Sequence, residues 1–205
     1  EETTAGTPPA GTTAGPPTHD VLVCTHGARD RCCGSLGTGL ALPLLADPDA
    51  LGPGVRVWRT SHTGGHRFAP TALVFPGGTA WAYADVDLLR RVVDRQDVGA
   101  AVAHYRGCAG MATPRLQALE RAVLGRVGWG LLDRPRSGDD DGGPTVRLGV
   151  DDPAEVWEAE VAVGRRLPVP PCGAPIGAAT KSDNEWAVSG LRLVTSGPSS
   201  ERMAI

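Results

Sequence analysis

The sequence predicts a mixed α/β (α+β) domain, and three observations predict it. Short apolar runs suited to strands alternate with stretches of helical periodicity. The first two strand-like runs are separated by a helical stretch, which demands a crossover between them. The next two are separated by Gly77-Gly78, which reads as a tight hairpin.

Residues 1–18, "EETTAGTPPAGTTAGPPT", hold little besides Thr, Pro, Gly and Ala, so they bury no apolar surface of their own and read as a linker or arm. "DVLVC" from Asp20 reads as a strand running into a polar, glycine-containing loop. "GSLGTGLALPLLAD" follows with helical spacing of Leu36, Leu40 and Leu44, and Pro43 delays or bends that helix. "VRVWRT" (55–60) sets Val55 and Val57 on one strand face and Arg56 and Trp58 on the other. "TALVFP" and "TAWAYA" are the hairpin strands. "DVDLLRRVVDRQ" has an acidic first turn and apolar Val86, Leu88, Leu89, Val92 and Val93, the marks of a helix.

"TPRLQALERAVLGRVG" is a further helix, followed by the acidic run "SGDDDGGP", read as a solvated loop. "TVRLGV" and "EVWEAEVAV" alternate as strands and form an appended hairpin, to which "KSDNEWAVSGLRLV" adds an edge strand. The organisation is therefore a core over 19–98, a helix-plus-hairpin extension over 99–175 and a tail over 176–205, a length suited to one generous domain. The order β-α-β then β-β-α is that of a thioredoxin-like domain. In such a fold the loop after the first strand and the loop before the hairpin lie at the same end of the sheet.

Charge narrows the function classes. The net charge is −3, the pI is near 5.9, and the 19 arginines and single lysine (Lys181) are scattered among acids, so a nucleic-acid partner is not expected. No apolar run approaches the roughly 20 residues of a membrane span. The chain opens at Glu1 without an apolar leader, which points to the cytoplasm. Of five cysteines, Cys24, Cys32 and Cys33 crowd into ten residues, which suits a metal or redox site in a reducing compartment better than a disulfide framework.

The two loops expected to meet are "CTHGARDRCC" and "SHTGGH". Cys24 and Cys33 are nine positions apart, a loop that can fold two thiolates onto one ion, and His62 and His66 are four apart, which lets both imidazoles reach the same ion or another. Gly64 and Gly65 allow the backbone to turn through positive φ and approach an inorganic group closely. Singly, each piece has a plainer reading: surface histidines, a spare thiol, a glycine turn. Four soft or borderline ligands on converging loops favour a metal. Spacing leaves open whether that metal is tetrahedral zinc or a [2Fe-2S] cluster of mixed ligation. It also leaves open whether Cys32 or Cys33 is the second thiolate. His104, Trp58, Trp81, Trp129 and Trp157 read as structural or packing residues, and Cys108 and Cys172 have no partner near them in sequence.

"VCTHGARDRCCG" followed by "SHTGGHRFAPTALVFPGG" resembles the sucrase/ferredoxin-like family of thioredoxin-like ferredoxins, whose members share a C-x8-C loop and an H-x-G-G-H motif. The resemblance weakens through "YRGCAGMATPRLQALERAV" and reaches "PPCGAP", spanning about residues 20 to 175. It implies a [2Fe-2S] cluster held by Cys24, Cys33, His62 and His66, with one-electron transfer to a partner protein as the activity. Cys33 is preferred because it immediately precedes Gly34, as in the family pattern. Cys32, Arg29, Thr63 and Gly65 would then surround the ligands. Two neutral imidazoles in place of two thiolates make a cluster less negative, which raises its potential and couples electron uptake to protonation.

The rival readings are a zinc-stabilised binding module on the same four ligands and a thiol-disulfide oxidoreductase, although no C-x-x-C is present. No paired carboxylates support a hydrolase.

Overall fold

The computed structural model describes residues 18–28 and 30–194. The expected arm therefore lies almost wholly outside the described residues, as does Arg29.

The first sheet has the order β2-β1-β3-β4-β5, with β1 His19–Cys24, β2 Val55–Thr60, β3 Ala72–Phe75, β4 Thr79–Trp81 and β5 Tyr105–Cys108. β1 and β2 run parallel, His19 opposite Val55 and Cys24 opposite Thr60, while β3, β4 and β5 add antiparallel neighbours. The crossover between β1 and β2 is the helix α1, Thr38–Ala46, which contains Pro43 and follows a π-wound stretch, Cys33–Gly37. This is the thioredoxin-like order that the sequence predicts.

α2 (Val86–Val93) is capped by Asp85, whose carboxylate accepts the Leu88 N–H at 2.7 Å, and it buries Leu88, Leu89 and Val92. A short helix α3 (Val98–Val102) leads into β5, a fifth strand that sequence did not predict. α4 (Pro114–Val127) begins on Thr113, whose hydroxyl accepts the Leu116 N–H at 3.2 Å, with Pro114 at the first helical position.

The extension is larger than the expected hairpin. A second, antiparallel sheet has the order β6-β7-β8-β9, with β6 Arg136–Asp139, β7 Thr145–Val150, β8 Glu155–Val169 and β9 Lys181–Val194. The tail segment does form an edge strand, β9. The acidic run corrects the sequence reading in two ways: its first residues are in β6, and the Asp140 carboxylate is paired rather than solvated, its side chain 5% exposed. Its carboxylate takes Arg115 at 2.5 Å and the Thr113 hydroxyl at 2.6 Å.

One continuous core joins the layers. Val21, Val23, Trp81 and Tyr105 of the first sheet share it with Leu116, Leu119, Val123 and Leu124 of α4 and with Val146, Leu148 and Val150 of the second. α4 is thus covered on both sides. Glu120 lies on the same face, fully buried; Arg136 Nε donates to one carboxylate oxygen at 2.8 Å and the Cys108 N–H to the other at 2.7 Å. Trp81 and Trp157 are core residues, whereas Trp58 stands on the open face of the edge strand β2 and donates its indole N–H to Asp20 at 2.7 Å. His104 Nδ1 lies 3.0 Å from the Ala82 carbonyl oxygen, a structural contact. Among the described residues no helix is long and apolar enough to cross a membrane.

Candidate metal centre

Because β1 and β2 are parallel and β3 returns beside β1, the chain leaves β1 at Cys24, leaves β2 at Thr60 and enters β3 at Ala72, all at one end of the sheet. Backbone bonds tie these exits together: Thr25 N–H donates to Thr60 O at 3.1 Å and Cys24 N–H to Thr71 O at 3.0 Å. The two loops singled out in the sequence meet there.

Cys24 and Cys33 are each 1% exposed and pack in one buried cluster with Ala69. They meet because the loop between them folds back tightly. A side chain at Gly37 would strike the Cys24 carbonyl oxygen at 1.9 Å, and one at Gly34 would strike the Gly27 backbone at 2.4 Å. We expect Gly37→Ala to displace the end of β1 and lower metal content severalfold against the parent protein, measured by elemental analysis.

The two thiols sit in different fields. Burial raises the Cys24 pKa, but hydrogen bonds from the His26 and Thr63 backbones, from Cys33 and from the Thr63 hydroxyl outweigh it and leave the value lowered. Cys33 is pushed up to about 12, first by burial and then by its neighbour Cys24. The donors around Cys24 favour a thiolate there.

The histidine turn closes the site. Gly64 and Gly65 have φ of 83° and 73°, the left-handed conformation that glycine adopts without strain. Gly65 opens the short 3₁₀ turn His66–Phe68, and Arg106 donates to the Gly64 carbonyl oxygen at 3.2 Å. His62 Nδ1 lies 3.0 Å from Asp30 Oδ2, though not in hydrogen-bond alignment, and its ring stands edge-on to His26 at 6.4 Å. Buried Nδ1 of His66 has no hydrogen-bond partner.

The predicted ligands do not form one single-ion cluster. Among the described residues, the set of three ligand atoms lying within 4.8 Å of one another is Cys32, His66 and Cys172. Of these, Cys172 comes from the loop between β8 and β9. The four positions named from the resemblance instead make a buried Cys24–Cys33 pair, with His62 and His66 on the loop that meets theirs at the same end of the sheet. A two-iron cluster takes its protein ligands in pairs, one pair to each iron, so four-way proximity to one point is not required. A soft thiol pair, a buried imidazole nitrogen without a partner and hydrogen-bond donors on Cys24 fit such a group.

Sequence and geometry thus define a thioredoxin-like domain that gathers thiols and imidazoles at one end of its sheet. The sucrase/ferredoxin-like family model matches residues 5–107, half of the chain, and the chain belongs to that family. The match ends inside β5, short of the "PPCGAP" segment to which the sequence resemblance extends. A solved structure, a thioredoxin-like [2Fe-2S] ferredoxin from Aquifex aeolicus, is 14% identical, with a TM-score of 0.36 over 46% of this chain and 98% of that one. No curated protein matches the chain.

Proposed function

We propose that the protein is a one-electron carrier rather than an enzyme, with a [2Fe-2S] cluster held by Cys24, Cys33, His62 and His66. The observation that carries this reading is the buried Cys24–Cys33 thiol pair at the end of the sheet where the loop holding His62 and His66 also arrives. Such a cluster supplies one-electron transfer without a substrate of its own.

The chain's residues set its surroundings. Cys24 and Cys33 provide the thiolates from inside, and the Thr63 and His26 donors lower the charge density on the Cys24 sulfur. Asp30 Oδ2 stands 3.0 Å from Nδ1 of His62, on the side of the ring away from Nε2, the nitrogen that would face the metal. Both histidines are partly exposed whereas both cysteines are buried, so a redox partner protein would approach from the histidine side.

Anaerobically purified protein should be coloured, carry about two irons per chain and, once reduced, give an EPR signal of lowered average g value. A colourless protein with stoichiometric zinc would instead establish the zinc-stabilised module.

A further inference from the structure

Cys172 has no cysteine or histidine near it in sequence, yet the fold seats it against Cys32. The two strands flanking it, β8 and β9, are 15 and 14 residues long and carry their connecting loop out to the metal-centre end of the first sheet. Arg67, next to His66, sets its guanidinium 2.9 Å from the Asp183 carboxylate on this ribbon, an ion pair without hydrogen-bond alignment. At the loop, the Cys32 and Cys172 sulfurs are 2.6 Å apart, and the Cys32 N–H donates to the Cys172 sulfur at 2.9 Å.

Two explanations compete for this sulfur pair, a shared metal ion and a sulfur–sulfur bond. Two thiolates on one tetrahedral zinc, each about 2.3 Å from the ion, stand about 3.8 Å apart. The observed 2.6 Å is well inside that and within about 0.6 Å of a covalent bond of roughly 2.05 Å. Among the described residues His66 is the one further ligand close to both sulfurs, one short of the four protein ligands of a structural zinc site.

We propose that Cys32 and Cys172 form a reversible disulfide that fastens the β8–β9 loop over the His66 side of the metal centre. Both thiols are half-exposed and open to a soluble disulfide, unlike buried Cys24 and Cys33, so oxidation is confined to this pair. Cys108 is otherwise engaged, its thiol on the Gly77 carbonyl oxygen at 3.3 Å.

The chemistry is exchange with a low-molecular-weight disulfide, R–S–S–R. The Cys172 thiolate, on the open loop, attacks one sulfur; the external bond breaks and R–S⁻ leaves. The Cys32 thiolate then attacks the Cys172 sulfur, forming the internal bond and expelling the second R–S⁻. Two protein thiols lose two electrons and two protons, and one external disulfide becomes two thiols. Excess thiol reverses both steps. In the oxidised form the ribbon is fixed beside His66; in the reduced form it is held only by contacts such as Arg67–Asp183. The bond does not depend on which group Cys24 and Cys33 hold.

The test equilibrates the full chain in glutathione buffers of graded redox ratio, quenches with N-ethylmaleimide and maps tryptic peptides by mass spectrometry. Peptide 32–56 should appear joined to peptide 167–181, its fraction rising severalfold with the oxidised share and falling to background with dithiothreitol. Either Cys32→Ser or Cys172→Ser should abolish the joined peptide. The proposal is overturned if no ratio yields it, or if it persists in Cys32→Ser, which would place Cys33 in the bond. It is equally overturned if both thiols resist maleimide in a protein holding one zinc per chain that Cys172→Ser releases.

Discussion

Cys33→Ser should strip the protein of iron and visible absorption, while Cys32→Ser should leave both close to the parent level. The two thiols are adjacent in sequence but sit in a helical run, where successive residues point about 100° apart. Cys33 turns inward to Cys24 and is 1% exposed, whereas Cys32 turns outward to Cys172. Loss of a ligand should exceed the roughly 10–100-fold loss of metal affinity seen when a residue merely supporting a ligand is changed. Iron per chain and the visible spectrum of the two serine variants decide the matter. Retained iron in Cys33→Ser together with lost iron in Cys32→Ser would reverse the ligand assignment.

Glu120→Ala should be among the most destabilising single substitutions in the chain. Glu120 is fully buried, and its removal would leave the Arg136 guanidinium, whose side chain is 6% exposed, without a counter-charge and the Cys108 N–H without an acceptor. Removing one partner of a buried pair costs about 3–5 kcal/mol, because the other charge remains out of water. Denaturant unfolding of the variant measures this directly. Pairing Glu120→Leu with Arg136→Met should recover much of the loss, since no buried charge then remains. A loss below about 1 kcal/mol in Glu120→Ala would show that water reaches Arg136.

The legible parts of the fold were those with a strong period. α2 and α4 repeat apolar residues every three to four positions behind a capping Asp85 or Thr113, and β1 and β2 carry clear apolar runs. β5 and β6 were not legible, because "YRGC" and "RSGD" are short, contain glycine and arginine, and owe their strand form to neighbours rather than to their own pattern. Asp140 looked solvated because sequence shows the acidic run but not that Arg115 and Thr113 of the α4 N-terminus close on it.

At the candidate site, the loop convergence followed from strand order alone, and so could be read in advance. The placement of Cys172 could not. It lies 140 positions from Cys32, and its approach depends on β8 running on to Val169, beyond the stretch whose alternation marked it as a strand. Spacing likewise did not show that Cys32 and Cys33 turn to different neighbours, Cys172 and Cys24.

The continuous core shared by both sheets has a consequence for descent. The family match stops at Gly107, in the middle of β5, while α4 and the second sheet share the apolar core that seals that strand and Trp81. A fragment trimmed at the edge of the matched region would bare that surface to water. The stretch recognisable as family and the stretch that shares one core therefore end at different residues.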